Sequence, residues 1–310
     1  MPLHIETPLI PSRPLSRLTG KDVRLKLEAL QPSGSFKLRG IGATCEALAR
    51  QGKTRFISSS GGNAGIAVAY AGRQLGIPVT VVVPETTTAR ARELIALEGA
   101  DIVVHGASWT EANALAESMV DATSAALHPF DNPTTWAGHA TMIDEVARAG
   151  VAFDSVLLSV GGGGLMSGVV EGLRRNGLGH IPVVAMETFG ADSLAQSAAK
   201  GERIMLDAIT SIATSLGAKQ VCANAFELTR THDIRSLVVS DLEAVDACLA
   251  FLHDHRVLVE PACGATLAAL YRQDPVLAPF QSPLVIVCGG STATLQQLQD
   301  WRAALVAKTA

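Results

Sequence analysis

The chain has 310 residues, of which 48% are hydrophobic, and its 25 Lys and Arg against 29 Asp and Glu give a net charge of −4. At the usual ~150 residues per domain, this length predicts two domains with large buried sheets. No basic stripe occurs, which argues against nucleic acid or an anionic membrane as a partner. The apolar runs are shorter than the ~18 residues of a membrane span, so we expect a soluble protein.

The cysteines and histidines also exclude several classes of protein. The five cysteines are odd in number, widely spaced and free of any C-x-x-C pair, which argues against a disulfide framework or a zinc site. Together with an N-terminus that lacks a signal pattern, this favours a reducing cytoplasm. The eight histidines lack metal-ligand spacing and no Gly-x-Ser-x-Gly elbow occurs, so hydrolase and metalloenzyme functions are disfavoured.

Strands and helices are predicted to alternate after an irregular N-terminal arm. The first 20 residues are rich in Pro, Ser and Arg and are expected to lie over a domain without folding independently. The predicted strands lie at residues 23–27, 55–58, 79–83, 101–104, 126–128, 156–160, 183–186 and 284–288. The predicted helices begin near residues 37, 64, 88, 109, 135, 165, 220, 241 and 260, and residues 209–218 are expected to form a loop. The alternation predicts an α/β fold with buried parallel strands.

One lysine follows a turn-forming segment, residues 31–40, with the sequence QPSGSFKLRG. Ser33 or Ser35 is expected to cap the helix that follows, which places Lys37 in its first turn. The helix dipole disfavours a cation there, so the position suits a neutral amine that forms Schiff bases. The alternative is a solvated lysine on a helix face.

Two glycine-rich turns stand between a predicted strand and a predicted helix. The first contains Ser59, Ser60, Gly61, Gly62 and Asn63, and the second consists of Gly161, Gly162, Gly163 and Gly164. Free N–H groups at a helix start bind anions, and glycines let a ligand approach the backbone closely. A flexible linker is the less favoured alternative for the second turn, since linkers seldom join a buried strand directly to an apolar helix.

Two further residues follow predicted strands. Glu187 lies about twenty residues beyond the second glycine turn, as in dinucleotide-binding folds, but neither register of the turn completes G-x-G-x-x-G. Cys288 ends the last strand, at the edge where open α/β sheets bind ligands. A buried inert thiol is the alternative for Cys288.

These motifs together resemble the pyridoxal-phosphate enzymes of the tryptophan-synthase β fold, and most closely the L-serine/L-threonine dehydratases. The likeness covers nearly the whole chain, including PVVAMETFG at residues 182–190 and VEPACGA at residues 259–265. It implies two open, mostly parallel twisted sheets flanked by helices, with the cofactor in the cleft between two domains. The expected division is residues 1–34 with 132–310 as a large cofactor domain, and residues 35–131 as a small domain.

The resemblance also implies roles for individual residues. Lys37 matches the lysine that binds the cofactor as a Schiff base and removes the α proton. Phe36 matches the ring beside the pyridine, Cys288 the residue facing the pyridine nitrogen, and Asn63 a contact of the cofactor's 3′ oxygen. The remaining matches are the phosphate loop Gly161, Gly162, Gly163 and Gly164, the substrate-carboxylate loop Ser60, Gly61, Gly62 and Asn63, and a potassium site at Glu187, Ala191, Ser215, Leu216 and Ala218.

The implied reaction is elimination from L-serine, and by extension L-threonine, to pyruvate or 2-oxobutyrate plus ammonia, in a homodimeric catabolic enzyme. A β-replacement enzyme of the cysteine synthase type is one alternative, although those enzymes usually present serine or threonine to the pyridine nitrogen. A racemase would need an acid opposite Lys37. A non-catalytic amino-acid binding module is the third alternative. Gly61 stands where related racemases carry serine, so we expect negligible racemisation, and open space at Gly61 that an alanine would fill with a gain in turnover.

Overall fold

The computed structural model describes residues 1–309, which form two sheets flanked by helices. The ten strands in this part of the chain are β1 (Leu9–Pro11), β2 (Arg24–Lys26), β3 (Arg55–Ser58), β4 (Val79–Val83), β5 (Asp101–Val104), β6 (Ser124–Ala126), β7 (Ser155–Ser159), β8 (Val183–Thr188), β9 (Ile234–Val239) and β10 (Pro283–Ile286). The twelve α-helices are α1 (Arg13–Thr19), α2 (Lys37–Arg50), α3 (Asn63–Leu75), α4 (Ala89–Leu97), α5 (Trp109–Ser118), α6 (Pro133–Arg148), α7 (Gly164–Arg175), α8 (Ser193–Lys200), α9 (Ala223–Thr231), α10 (Asp241–His255), α11 (Pro261–Tyr271) and α12 (Leu295–Thr309).

The larger sheet has six strands in the order β1-β2-β10-β7-β8-β9. Every neighbouring pair is parallel except β1 with β2, so the antiparallel edge comes from the N-terminal arm. The interior strands β7 and β8 are buried along their whole length, which their runs of Val, Leu and Ala permit. Leu25 of β2 pairs with both Ile10 and Val285, which joins the two ends of the chain.

The smaller sheet has four parallel strands in the order β5-β4-β3-β6. Its strands all lie within residues 55–126, while those of the larger sheet lie on either side of this segment. Each sheet has its own apolar core. The buried residues of the main core come from residues 15–27 and 142–298, whereas those around the smaller sheet come from residues 41–127.

Several predicted elements differ from the observed ones. The prediction that the N-terminal arm is irregular is wrong, because Ser12 caps α1 and Leu9–Pro11 extends the larger sheet. The prediction omitted α8, α12 and β9, and the predicted loop at residues 209–218 contains the 3-10 turn Thr214–Leu216. Most other ends shift by a few residues. The largest shift is at the end of α5, which was predicted at Ser124 and lies at Ser118, because Asp121 begins a hydrogen-bonded turn.

Candidate active site

Lys37 begins α2 beside the segment that follows β10. The Phe36 N–H donates to the Cys288 carbonyl at 3.0 Å, and the Gly290 N–H donates to the Gly34 carbonyl at 3.0 Å. These backbone bonds pair the residues before Lys37 with the residues around Cys288. The lysine and the thiol, 251 positions apart in the sequence, therefore belong to one site.

The turn before Lys37 is not capped as expected. Phe36 occupies the N-cap position and its side chain makes no capping hydrogen bond. Gly34 has φ of +76°, and a Cβ there would overlap the Ser291 hydroxyl, so this turn requires glycine. The hydroxyls of Ser33 and Ser35 are buried, and neither has a partner within residues 1–309. Buried hydroxyls are almost always hydrogen-bonded, so these two indicate a polar ligand or water.

The Lys37 amine is held in an enclosed position. Its Nζ donates to the Pro129 carbonyl at 2.6 Å and lies 5.3 Å from the centroid of the Phe36 ring. Burial lowers the pKa of the amine to about 8, against the opposing effect of Cys288 and Glu260. The Phe36 ring packs in turn against the buried His139, with 4.9 Å between ring centroids. A larger fraction of this amine than of an ordinary lysine is therefore neutral near physiological pH.

The second glycine turn joins β7 to α7 with free donors. In the part of the chain that the structure describes, the N–H groups of Gly162, Gly163 and Gly164 donate to no protein acceptor. A Cβ on Gly162 would lie 2.3 Å from the Phe130 ring, and Gly163 has φ of +90°, so side chains are excluded here. The free N–H groups at the start of α7 form an anion site.

The first glycine turn joins β3 to α3 and reaches the larger sheet through Asn63. The Asn63 Nδ2 donates to Glu260 Oε1 at 2.7 Å and to Ser215 Oγ at 3.4 Å. The Asn63 Oδ1 accepts from the Ser291 N–H at 3.1 Å. Within residues 1–309 the N–H groups of Gly61 and Asn63 donate to no protein acceptor. The loop therefore presents donors suited to a carboxylate.

Glu260 is a residue of the site that the sequence did not reveal. Its carboxyl is buried where the Asn63 amide meets Ser215 and Thr292, and burial raises its pKa to about 7. The partner Asn63 lies 197 residues away in the chain, so no local pattern marks the contact. Its position directly before Pro261, at the start of the mostly apolar α11, is the only sequence signal of an unusual carboxylate.

Cys288 and Glu187 are both buried. A hydrogen bond from the Cys288 thiol to Cys263, together with burial, holds the pKa of the Cys288 thiol well above its ordinary value, so the thiol stays neutral. The Glu187 carboxylate accepts from the N–H groups of Leu194 at 2.9 Å and Ala195 at 2.8 Å, and burial raises its pKa to about 8. Within residues 1–309, no group of three or more His, Cys, Asp or Glu side chains could hold a metal ion. The potassium site, which would consist mainly of carbonyls, stays a prediction.

A cluster of four buried charges supports the start of α2. The Arg39 cluster consists of Lys26, Glu28, Arg39 and Glu145. Arg39 is fully buried, and its guanidinium donates to both carboxylates at distances from 2.7 to 2.9 Å. Lys26 donates to Glu145 and to the Thr7 carbonyl. The cluster ties the N-terminal arm, α2 and α6 together two residues beyond Lys37.

A family model described as pyridoxal-phosphate dependent enzyme matches residues 1–289. The chain belongs to this family. It is 46% identical over 309 residues to the L-serine dehydratase/L-threonine deaminase of Homo sapiens, with 96% of this chain and 94% of that protein covered. It is 44% identical over 320 residues to the L-serine dehydratase of Dictyostelium discoideum, with 96% and 91% covered. A solved fungal L-serine ammonia-lyase from Rhizomucor miehei superposes with a TM-score of 0.93 at 33% identity, with 98% and 99% covered.

The observed site fits pyridoxal phosphate. The free N–H groups of Gly162, Gly163 and Gly164 suit its phosphate, and the amine of Lys37 suits its aldehyde. The two buried hydroxyls without protein partners, on Ser33 and Ser35, lie on the segment that leads to Lys37. None of the helices over residues 1–309 has both the length and the apolar composition that crossing a membrane requires.

Proposed function

We propose that this protein is an L-serine/L-threonine ammonia-lyase that converts L-serine to pyruvate and ammonia, and L-threonine to 2-oxobutyrate and ammonia. The names of the relatives support this reaction class. The observation that carries the proposal is the enclosed Lys37 amine, with a pKa of about 8, placed beside the neutral Cys288 thiol. Such an amine can bind the cofactor and exchange a proton at neutral pH.

Each part of the site has a task in this reaction. When bound, pyridoxal phosphate supplies an electron sink that stabilises the carbanion left after loss of the α proton. The Gly161 to Gly164 turn would hold its phosphate through backbone N–H groups, and Phe36 would cover one side of its ring. The loop containing Ser60, Gly61, Gly62 and Asn63 would hold the substrate carboxylate. Lys37 Nζ would then take the α proton.

The neutral thiol favours elimination over β-replacement. A thiol is a weak hydrogen-bond donor, so Cys288 leaves the pyridine nitrogen less protonated than a carboxylate would. The cysteine synthase type usually presents serine or threonine at this place, which counts against that alternative. A non-catalytic binding module would not need an amine whose pKa is lowered to about 8.

The proposed activity is tested with purified protein loaded with pyridoxal phosphate. L-serine and L-threonine are supplied separately, beside their D forms, and pyruvate, 2-oxobutyrate and ammonia are measured. Formation of one keto acid per ammonia from an L substrate is expected. No keto acid from either L substrate, with O-acetylserine and sulfide giving cysteine instead, would support the β-replacement alternative.

Binding of the cofactor is expected to depend on pH through Lys37. A protonated amine cannot attack an aldehyde, and the neutral fraction of the amine rises as pH increases through its pKa of about 8. The rate of Schiff-base formation between the cofactor-free protein and pyridoxal phosphate should therefore rise with pH and level off above about 9. Stopped-flow absorbance over pH 6–10 measures this rate. A profile that is still rising at pH 10, as for an exposed lysine, would contradict the lowered pKa.

Substitution of Gly61 by alanine is expected to lower turnover, contrary to the expectation from the sequence. The space beside Gly61 is filled, because a Cβ there would lie 2.7 Å from Thr87 Cγ2 and 2.8 Å from Thr87 Oγ1. The larger side chain would displace Thr87 or the substrate loop, and misplacement on the order of 1 Å can cost ~100-fold in rate. Steady-state keto-acid assays compare Gly61→Ala with the double variant Gly61→Ala/Thr87→Ala, which removes both contacts and should recover turnover.

Chiral chromatography of the same reactions tests racemisation. Because glycine carries no acidic group, negligible D-serine is expected from the wild type. Gly61→Ser introduces a hydroxyl, and detectable D-serine is expected from that variant when it is combined with Thr87→Ala. Substantial D-serine from the wild type would show that another residue supplies the acid opposite Lys37.

We also propose a potassium site at Glu187 with the carbonyls of Ala191, Ser215, Leu216 and Ala218. Activity is expected to rise when potassium replaces sodium, because a large ion with oxygen ligands would order the 3-10 turn Thr214–Leu216 beneath the phosphate loop. In this structure the Leu216 Cα lies 3.0 Å from the position of a Cβ on Gly161. Assays in matched chloride salts measure the response, with Glu187→Gln as the variant that should lose it. If the activity of the wild type is the same in potassium and in sodium, the proposed potassium site is wrong.

The proposed organisation is a cytoplasmic, catabolic homodimer of two-domain subunits. Separate apolar cores support a division into residues 1–34 with 132–310 and residues 35–131. All five cysteines are free, as expected in a reducing compartment. The exposed side chains of Phe189 and Met205 border one surface cleft and offer apolar area to a second subunit. Light scattering after gel filtration distinguishes a dimer from a monomer.

A further inference from the structure

The turn at residues 128–131 connects the two parts of the site and has no assigned role. It follows β6 and leads to α6, and we refer to it as the 128–131 turn. The His128 Nδ1 accepts from the Phe130 N–H at 3.3 Å and from the Asp131 N–H at 2.8 Å. The rings of His128 and Phe130 meet edge to face, with 4.6 Å between centroids. The side chain of His128 thus closes the turn over its own backbone.

The same turn contacts the lysine and the phosphate loop. The Pro129 carbonyl accepts from Lys37 Nζ at 2.6 Å. The Phe130 ring fills the space beside Gly162, and the backbone and Cβ of Phe130 fill the space beside Gly164. The Phe130 carbonyl accepts from Trp136 Nε1 at 2.7 Å. A change in the backbone direction of this turn would therefore move the carbonyl that the Lys37 amine contacts.

The peptide group between Pro129 and Phe130 links these contacts. The Pro129 carbonyl and the Phe130 N–H belong to one planar unit and point in opposite directions. When His128 accepts from that N–H, it fixes the rotation of the plane and directs the carbonyl at Lys37. Pro129 has no N–H of its own, so it cannot donate a second hydrogen bond that would fix this part of the backbone.

We propose that His128 is a positioning residue that fixes the Pro129 carbonyl against the Lys37 amine and so orients this amine for attack on the cofactor. The role belongs to the Nδ1 acceptor, because both N–H groups of the turn point to that atom. The neutral ring then carries its proton on Nε2. His128 is exposed, and its one aromatic contact within residues 1–309 is with the Phe130 ring, a contact that replacement by leucine or by asparagine removes alike.

The test compares His128→Leu, which removes the acceptor, with His128→Asn, which keeps one. An asparagine oxygen accepts from backbone N–H groups two and three residues ahead, as Asn132 does with Thr134 at 2.8 Å and Thr135 at 3.3 Å. His180→Leu, at another exposed histidine, is the matched control. Full-length protein freed of cofactor is mixed with pyridoxal phosphate, and the rate of Schiff-base formation and the cofactor dissociation constant are measured.

We expect His128→Leu to slow Schiff-base formation by ~10-fold or more, because a misplaced reacting group loses orientation. His128→Asn and His180→Leu should stay within about twofold of the wild type, with unchanged thermal midpoints in all three variants. A wild-type rate in His128→Leu would overturn the proposal, as would equal impairment of the Leu and Asn variants. If the Leu variant is insoluble, His128→Ala provides the same comparison. Because the readout is cofactor capture, it stands even where the proposed elimination reaction fails.

Discussion

Replacement of Lys37 by alanine is expected to abolish both keto-acid production and the yellow chromophore of the bound cofactor. One amine forms the Schiff base and takes the α proton, so both functions disappear together. General-base catalysis alone contributes ~10²–10⁴-fold, and loss of the covalent bond adds to this. Pyruvate formation from L-serine and absorbance after borohydride reduction measure the two losses.

Lys53→Ala is the matched control for this substitution. Lys53 is partly exposed, and its amine donates to the Ala122 carbonyl away from the site. Its replacement should leave the chromophore and turnover unchanged. Normal turnover by Lys37→Ala would show that another group performs the chemistry and would contradict the proposed mechanism.

Replacement of Arg39 by alanine is expected to give the largest loss of stability of any single substitution considered for this chain. The change leaves the Glu28 and Glu145 carboxylates buried, with only Lys26 to balance them. Removing one partner of a buried ion pair costs about 3–5 kcal/mol, because the remaining charge is uncompensated. Urea denaturation of the cofactor-free protein measures the change in the free energy of unfolding.

The control for Arg39 is an arginine with an exposed ion pair. Arg148 donates to Glu6 at 2.7 Å on the surface, where solvent screens the charges, so Arg148→Ala should change stability little. Equal losses in the two variants would mean that the Arg39 cluster contributes no more than a surface pair. Arg39→Ala should also slow cofactor capture, since the cluster anchors α2 close to Lys37.

The sequence predicts the parts of this site that depend on local chemistry. A glycine turn between a strand and a helix specifies its own geometry, so both loops were predicted at their observed places. Lys37 likewise begins α2 as predicted. The order of the motifs and the lysine context identified the family, which the match over residues 1–289 confirms.

The parts that were missed or wrong depend on contacts between distant residues. The capping role of Ser33 or Ser35 failed because the backbone of this segment pairs with residues around Gly289 and holds Phe36 at the N-cap. The open space expected at Gly61 is filled by Thr87, which sequence spacing cannot place. The edge strand β9 was missed because most of its residues are only partly buried, so it lacks the continuous apolar run of the inner strands.

The strand order also determines which parts of the fold can form while the chain is still being synthesised at the ribosome. The smaller sheet uses residues 55–126 alone and can form while the chain is still growing. In contrast, β2 cannot pair with β10 until the residues of β10 have been synthesised. Domains form as units during synthesis, and pairings across long stretches of chain come late. The Phe36 bond to Cys288 therefore closes only near the end of translation. A chain that ends before Cys288 lacks the completed pocket, so we expect it not to capture the cofactor.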